Sequence, residues 1–326
     1  MIKPDISVIV PCYNADRYLS LCLASLHAQR QPQIEMILID DGSTDATGAI
    51  LDQFARIEPR ARVIHVTNRG VSAARNLGIE AAQGRYLAFL DGDDAWEADA
   101  LSILWRAATR SGAQIVSAGH TIFDMNTNRR IPVEIERTED TPAEIVQKII
   151  HMHRIYNNLW NKLYARALFD NGEMRLDEGV RIGEDALLNL ALYHRARRVV
   201  QISERTYVYR VHRASAMANI TSYREAHEPM LQAMGRVLIQ EGIKELYFRD
   251  FLGSVVWINE KEEGIRSCMR RFNRALRPLI LESLNPERIP HQDRLLFHAV
   301  RRGYFPAWYV ARRIRQKLSL RRGGQQ

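Results

Sequence analysis

The 326-residue sequence has few cysteines and no long apolar run. Cys12, Cys22 and Cys268 are odd in number and lack CxxC spacing, which argues against a disulfide framework or a zinc site and favours a reducing compartment. No apolar run approaches the roughly 18 residues that span a membrane, and the N-terminus leads into a strand pattern without a secretory signal. We therefore expect a cytoplasmic protein.

The positive charge of the chain is concentrated at its C-terminal end. The net charge is +8, and residues 301–326 carry eight Lys or Arg residues and no acid, so the remaining residues balance. Residues 304–322 combine aromatic and basic residues with an apolar residue at every fourth position, which is typical of a helix on an anionic membrane surface. A terminal helix packed on the body is the alternative. No recognition motif accompanies the basic residues, so nucleic acid is not expected as a partner.

Apolar runs and helical periodicity alternate through the first 120 residues. The runs are continuously apolar, as in strands that are buried on both faces. The predicted strands are 6–10, 36–39, 63–66, 86–90 and 115–118. This alternation predicts an α/β fold with a mostly parallel sheet flanked by helices.

Beyond residue 120 the pattern is less regular. Residues 120–140 are polar and carry few helix or strand cues. Helices are predicted at 142–153, at 159–169 and from 184, strands at 199–202 and 205–211, and almost only helices after 220. We expect a first domain over residues 1–218 and a helical C-terminal region with the basic tail over residues 219–326.

Two acidic clusters follow predicted strands. Asp40 and Asp41 end the second strand, and Asp91, Asp93 and Asp94 follow the fourth. Because the carboxyl ends of parallel strands lie along one edge of a sheet, we expect the two clusters to share one site. Crowded carboxylates favour a hard cation such as Mg²⁺ or Mn²⁺. The alternative is a pair of solvated acidic turns that cap the following helices.

Six short segments form a recognisable series. They are residues 8–14, 39–45, 68–76, 90–94, 160–164 and 183–185. In their order and spacing they resemble the family 2 glycosyltransferases of bacterial surface-polysaccharide type, which have the GT-A fold. The resemblance covers residues 1 to about 215 and does not extend to the helical C-terminus.

The resemblance implies a site for a UDP-sugar at the ends of the first two strands. Pro11, Tyr13 and Asn14 would line the nucleotide pocket, with Tyr13 against the base. Asp40 would accept a hydrogen bond from the uracil ring N–H, and Asp41 would support that loop. The alternative for Asp40 and Asp41 is a turn followed by a helix cap.

The resemblance also implies a place for the diphosphate and a metal ion. Asp91 would reach the ribose or a metal-bound water, and Asp93 would bind the Mg²⁺ or Mn²⁺ that bridges the two phosphates. His212 is a further candidate for contact with the metal or the diphosphate. Arg75 would contact the nucleotide or hold the acidic residues. A structural histidine and a surface arginine are the alternatives.

The catalytic base implied by the resemblance is Asp185, which would take the proton from the acceptor hydroxyl in a single displacement with inversion. Glu184 beside it could raise its pKa, unless both acids only fill a first helical turn. Trp160 could stack on a sugar and Lys162 could contact phosphate, although a core tryptophan and a solvated lysine fit the sequence equally well. Asp94 would support its loop or contact the acceptor.

The function that follows is transfer of a hexose or N-acetylhexosamine from a UDP-sugar to a hydroxyl of a glycan or lipid-linked acceptor. The expected setting is polysaccharide or lipopolysaccharide synthesis on the inner face of the cell membrane. A sugar-phosphate nucleotidyltransferase would need a Gly-rich, basic loop after the first strand, and a dinucleotide oxidoreductase would need GxGxxG there; residues 11–14 have neither. An inactive membrane-associated scaffold is disfavoured because Asp93 and Asp185 are intact.

Overall fold

The computed structural model describes residues 3–30, 33–135, 141–150, 157–170, 172–212, 223–255, 274 and 276–303. The chain divides into two compact units, residues 1–149 with 153–220 and residues 150–152 with 221–326. The tail at 304–322 lies outside the described residues, so its membrane role stays a prediction. Within the described ranges, no helix combines the length and the apolar character needed to cross a bilayer.

The first unit is built on one mixed sheet, which has nine strands within the described residues. The strands are β1 (Ile6–Cys12), β2 (Ile34–Asp41), β3 (Ala61–Val66), β4 (Tyr86–Phe89), β5 (Ala95–Trp96), β6 (Ile115–Asp124), β7 (Arg129–Val133), β8 (Lys162–Ala165) and β9 (Val199–Val211). The order across the sheet is β3-β2-β1-β4-β8-β6-β9-β5, and β7 pairs with β6. The strands β3, β2, β1 and β4 are mutually parallel, β9 is parallel to β6, and β8 runs antiparallel between β4 and β6.

The helices of the first unit are α1 (Asp16–His27), α2 (Thr47–Ile57), α3 (Val71–Ala81), α4 (Ala100–Ser111), α5 (Pro142–Ile150) and α6 (Glu184–Arg195). The second unit contains α7 (Tyr223–Gln240), α8 (Arg277–Leu281) and α9 (Arg294–Arg301), and two short 3₁₀ turns lie between α8 and α9. Residues 248–255 are also helical. The α/β class, the mostly parallel sheet and the helical C-terminal region are thus confirmed.

The core lies on both faces of the parallel strands, which explains why those strands are continuously apolar. One face packs against apolar residues of α1 and α4, including Leu23 and Leu104. On the other face, α3 approaches β1 very closely at Gly78. A Cβ atom on Gly78 would lie 2.4 Å from Cγ2 of Ile9, so only glycine permits this contact. The close approach carries Arg75, one turn earlier on α3, to the carboxyl edge of the sheet.

Several secondary-structure predictions were wrong where strands pair over long range. The predicted helix at 159–169 is strand β8 followed by a 3₁₀ turn at Arg166–Leu168, because this segment pairs with β4 and β6. Residues 120–140, which carry few strand cues, contain the end of β6 and all of β7, and these two strands form a hairpin. The two strands predicted at 199–202 and 205–211 are the single strand β9, with a register shift opposite Gly119.

Candidate active site

The loops after β1 and β2 are tied together at the sheet edge. The Asn14 backbone N–H donates to Oγ of Ser43 (3.1 Å), and Asn14 Oδ1 accepts from the Thr44 N–H (2.9 Å). Pro11 is buried within β1, whereas the Tyr13 side chain between Pro11 and Asn14 is half exposed. The predicted pocket residues therefore sit together, with the Tyr13 ring accessible and Asn14 holding the two loops in register.

Asp40 is fixed from both sides at the end of β2. Its Oδ1 accepts from the Ser43 N–H (3.0 Å), and its Oδ2 lies 2.9 Å from Nδ1 of His65 on β3. The other His65 nitrogen lies 3.1 Å from Asp52 of α2. Burial opposes ionisation of Asp40, but the hydrogen bonds from Ser43 and His65 outweigh it and lower the pKa of the carboxyl. Asp40 is therefore held as an anionic acceptor.

Asp41 anchors the start of α3. Its two carboxylate oxygens accept from the backbone N–H groups of Arg69 (2.9 Å) and Gly70 (2.8 Å). Gly70 precedes the helix with φ of 94°, a conformation that favours glycine. Asp41 thus supports the loop, and it sets the position from which α3 extends towards the site.

Arg75 joins three carboxylates that come from distant parts of the chain. Its Nη2 donates to Asp91 Oδ1 (2.7 Å), and its Nη1 donates to Asp185 Oδ1 (2.8 Å) and, at 3.3 Å, to Glu184 Oε1. The residue is only 4% exposed. Asp91 follows β4, and the two other acids form the first turn of α6. The structure therefore brings together Arg75, Asp91, Glu184 and Asp185, four of the residues predicted from the sequence.

The acids on α6 have a raised proton affinity. Burial, and then the adjacent charge of Asp185, raise the pKa of Glu184 to about 7, with Arg75 opposing. Burial also raises the pKa of Asp185, again against the effect of Arg75. Arg75 favours the ionised form of both acids, and a carboxylate whose pKa is raised accepts a proton more readily than a solvated aspartate.

Asp93 and His212 form a separate pair at the end of β4. Asp93 Oδ2 lies 3.0 Å from Nε2 of His212, which follows β9, and the side chain of Asp93 is 37% exposed. The His212 ring stacks on Tyr18 of α1 at 4.0 Å between ring centroids. Burial and the nearby Asp91 raise the pKa of Asp93, while His212 opposes that shift.

The Asp93–His212 pair suits a cation that is only partly held by protein. Its donors are one carboxylate oxygen and one imidazole nitrogen, and one of the two side chains is open to solvent. Across the described ranges, no group of three or more His, Cys, Asp or Glu side chains is arranged to hold a metal ion by itself. This composition fits Mg²⁺ or Mn²⁺, which keep waters and take substrate phosphate oxygens as further ligands.

Asp94 is directed into the protein. Its Oδ2 accepts from the Tyr207 hydroxyl (2.8 Å) and its Oδ1 from the Arg210 N–H (2.7 Å), and the residue is almost fully buried. The same hydroxyl accepts from the Asp91 N–H (3.2 Å). Asp94 thus fastens the acidic turn to β9, which favours loop support over the acceptor contact.

Trp160 and Lys162 are also internal. The Trp160 ring stacks on Tyr207 at 4.4 Å and on Tyr209 at 5.6 Å, within the hydrophobic core. Lys162 has no exposed surface, and its ammonium donates to the Asn158 carbonyl and to Asn161 Oδ1 (2.7 Å). This burial disfavours the predicted sugar stacking of Trp160 and the predicted phosphate contact of Lys162, because Trp160 is only 7% exposed and Lys162 is not exposed at all.

Three supporting residues were missed in the sequence: Tyr18, Arg210 and Asn189. Arg210 donates to the Tyr18 carbonyl (2.9 Å) and to the Asp93 carbonyl, joining α1, the acidic turn and β9. A charged residue inside the apolar strand pattern of 206–211 was the available signal. Asn189 stands in an apolar helix one turn after Asp185, a position that also signals a buried polar role.

The mixed sheet, with acidic clusters at the carboxyl edge of its parallel strands, is the architecture of the GT-A fold class. The family model of glycosyl transferase family 2 matches residues 7–172, and the chain belongs to that family. The family membership expected from the sequence is thus confirmed.

Curated relatives and a solved structure agree with this assignment. Uncharacterized glycosyltransferase EpsJ of Bacillus subtilis is 36% identical over 212 residues, covering 64% of this chain and 61% of the relative. Putative glycosyltransferase EpsH of the same organism is 33% identical, covering 66% and 63%. The chain thus matches less than two thirds of the length of either relative. The crystal structure of S. aureus TarS 1–349 with UDP-GlcNAc has a TM-score of 0.69 at 20% identity, covering 92% of this chain and 88% of that one, which confirms the GT-A fold.

Proposed function

We propose that this enzyme transfers a sugar from a UDP-sugar to a hydroxyl of a glycan or lipid-linked acceptor by a metal-assisted, inverting single displacement. The observation that carries the proposal is the link made by Arg75. One guanidinium binds Asp91 at 2.7 Å and Asp185 at 2.8 Å. A carboxylate for the donor and a carboxylate for proton removal are thereby held on opposite sides of one cation.

The donor side is formed by the ends of β1, β2 and β4. Asp40, held anionic by Ser43 and His65, supplies an acceptor for the N–H of a uracil ring. The accessible Tyr13 contacts the base, and Asp91 contacts the ribose. A UDP-GlcNAc complex is known for TarS, which has the same fold; this supports a UDP-sugar as the donor here.

Asp93 and His212 are the residues that would hold Mg²⁺ or Mn²⁺ against the diphosphate. When bound, the metal ion supplies positive charge that stabilises the leaving diphosphate. Tyr18 stacks on His212 and the Arg210 side chain donates to the Asp93 carbonyl, so both donors are oriented by the protein.

Asp185 is the general base. It takes the proton of the acceptor hydroxyl while that oxygen forms a bond to the anomeric carbon of the sugar. The bond from that carbon to the diphosphate oxygen breaks, and its electron pair leaves with UDP. One displacement of this kind inverts the anomeric configuration. The raised pKa of Asp185 supports the assignment, because a general base works best when its pKa approaches the working pH.

Cell-surface polysaccharide assembly is the proposed setting. Support comes from the relatives, which include putative teichuronic acid biosynthesis glycosyltransferase TuaG of Bacillus subtilis, 48% identical over 100 residues that cover 30% of this chain and 40% of that one. A lipid-linked acceptor would be reached at the inner face of the cell membrane, with residues 304–322 as the membrane contact.

The proposal is tested by donor binding and by UDP release. We expect UDP-sugars with Mn²⁺ to raise the melting temperature of the purified protein, and UDP release to be lost in EDTA and in Asp93→Ala. The exposed-acid variant Asp170→Asn is the control and should behave as the wild type. Stabilisation by GDP- or dTDP-sugars alone would contradict the uracil role of Asp40. No response to any nucleotide would contradict the proposal, and pyrophosphate release from UTP and a sugar phosphate would indicate a nucleotidyltransferase.

A further inference from the structure

Lys162 belongs to a largely buried polar network that reaches the candidate base. Its ammonium donates to the Asn158 carbonyl and to Asn161 Oδ1 (2.7 Å), and it has no exposed surface. Burying a charged ammonium is costly even when it is hydrogen-bonded. A buried lysine on β8, one of the strands nearest the site, therefore calls for a role that a neutral side chain would not fill.

The peptide group between Asn158 and Leu159 connects this lysine to Asp185. Its carbonyl oxygen accepts from Lys162 Nζ and from Asn189 Nδ2 (3.1 Å). Its N–H, on the other side of the same peptide plane, donates to Asp185 Oδ2 (3.3 Å). Asn189 is itself fixed, because Tyr164 donates to its Oδ1 (2.7 Å). The peptide plane is thus held at one end by two donors and presented at the other end to the carboxylate.

We propose that Lys162 is a positioning residue for Asp185, acting through the Asn158–Leu159 peptide that it polarises and orients towards the second oxygen of the base. This role rests on the assignment of Asp185 as the base under the proposed function. Hydrogen bonds in a chain strengthen one another, so a cation on the carbonyl makes the N–H a better donor. Asp185 then has Arg75 on Oδ1 and the polarised peptide on Oδ2.

The charged groups around the pair agree with this role. Asp185 is faced by Arg75 of α3, by Asp91 after β4, by Glu184 on its own helix and by Lys162 of β8. Burial lowers the pKa of Lys162 to about 7, and the charge of Asp185 opposes that shift. His120 of β6 also faces Lys162, and its own pKa is lowered to about 4 by burial and by the lysine.

The effect of the Lys162 charge on Asp185 determines the direction in which the pKa of Asp185 should change. Lys162 lowers the pKa of Asp185, so removal of its charge must raise that pKa and keep the base protonated to higher pH. A lysine that only fills space in the network would affect stability and leave the titration of Asp185 unmoved.

The chain offers a matched control in Lys244 of the second unit. It is also buried, and its ammonium donates to two backbone carbonyl oxygens, those of Leu279 (3.1 Å) and Glu282 (2.7 Å). Lys162→Met removes both charge and donor, whereas Lys162→Gln keeps a donor without the charge. Lys244→Met repeats the first change in a separate network of the second unit, where the lysine binds the Leu279 and Glu282 carbonyl oxygens.

The direct test is carboxyl ¹³C NMR of aspartate-labelled full-length protein, with the Asp185 signal assigned by its absence in Asp185→Asn. We expect the pKa of Asp185 to rise by about one unit in Lys162→Met and by less in Lys162→Gln, and to stay unchanged in Lys244→Met. In lysine-labelled Asp185→Asn, the pKa of Lys162 should fall below its wild-type value. This last measurement needs no substitution of the lysine, so it decides the matter if the Lys162 variants fail to fold.

The kinetic counterpart uses UDP-GlcNAc hydrolysis with Mn²⁺. The acid limb of the kcat profile should move up by about one pH unit in Lys162→Met with KM unchanged. An Asp185 pKa that is the same in the folded Lys162 variants, or a Lys162 pKa that is the same in Asp185→Asn, would overturn the inference. Failure of the wild type to bind UDP would instead overturn the proposed function, which separates the two claims.

Discussion

The two sides of the site hold their carboxylates in opposite ways. On the donor side, Asp40 receives a backbone N–H and a histidine, and its pKa is lowered. On the base side, Asp185 is partly buried and paired with Arg75, and its pKa is raised. The pKa shifts of the two carboxyl groups are therefore opposite in direction, and the raised pKa is the one that suits the proposed base. The same type of side chain thus has a lowered or a raised pKa according to its partners, which is the basis for assigning the two proposed roles.

The largest effect is expected when the proton acceptor is removed. Asp185→Asn should lower the rate of UDP-sugar turnover by about 10²- to 10⁴-fold, because the acceptor proton then has no base to receive it. The affinity for UDP should change little, since Asp185 belongs to the base side. Initial rates of UDP release and calorimetric titration of UDP measure the two quantities. A loss of UDP affinity as large as the loss of rate would remove the distinction between the two sides.

Removal of the Arg75 guanidinium should destabilise the protein. In Arg75→Met three carboxylates lose their shared partner, and we expect a loss of about 3–5 kcal/mol in the free energy of unfolding at pH 7.5. Arg75 lowers the pKa of Glu184 and Asp185, so the variant carries these acids with still higher pKa values. An acid with a raised folded pKa stabilises the fold when it is protonated. The loss of unfolding free energy in Arg75→Met should therefore become smaller towards pH 5.5. Urea unfolding at both pH values measures this, and a deficit independent of pH would contradict it.

A moderate effect on stability is expected at Glu184, the second acid on the base side. Its folded pKa of about 7 exceeds the ordinary value of 4.5, so its contribution to stability is complete below about pH 4.5 and is lost as the pH rises to 7. Glu184→Gln should abolish that loss and gain about 1–3 kcal/mol relative to the wild type between pH 5 and pH 8. Urea unfolding across this range measures it. Equal slopes in both proteins would show that Glu184 titrates normally.

The smallest effect is expected at His65, whose side chain is about half exposed. His65→Leu removes one hydrogen bond from Asp40 and should weaken UDP binding by about fivefold, which corresponds to about 1 kcal/mol. The loss should grow less marked above the raised pKa of His65, where the wild-type imidazole is neutral. Titration calorimetry at pH 6 and pH 8.5 tests this. If His65→Leu changed the turnover rate without changing the affinity for UDP, the assignment of His65 to the donor side would be wrong.

The donor side was largely predictable from the sequence. Its strands are continuous apolar runs; Asp40 and Asp41 end β2, and Asp91 and Asp93 lie in the turn after β4. Parallel order then places these acids at one edge, whatever the details of packing. Asp185 could be predicted as the base only through the resemblance, because its contact with Arg75 joins residues 110 positions apart.

The base side resisted prediction because its structure depends on pairing between distant segments. Residues 162–165 form a strand only by pairing with β4 and β6, and their apolar spacing alone suggested a helix. For the same reason the burial of Trp160 and Lys162 could not be read from composition. The pairing also turns Asp94 inward, towards Tyr207 and Arg210 of β9, which lie more than 110 residues away.

The most direct test of the two-sided site is calorimetric titration of UDP with Mn²⁺ into three proteins. We predict that the wild type and Asp185→Asn bind UDP with affinities equal to within about twofold, while Asp93→Asn binds at least about tenfold more weakly. Without Mn²⁺, the affinity of Asp93→Asn should approach that of the wild type. Equal binding by all three proteins in Mn²⁺, or no binding of UDP by the wild type, would contradict the account.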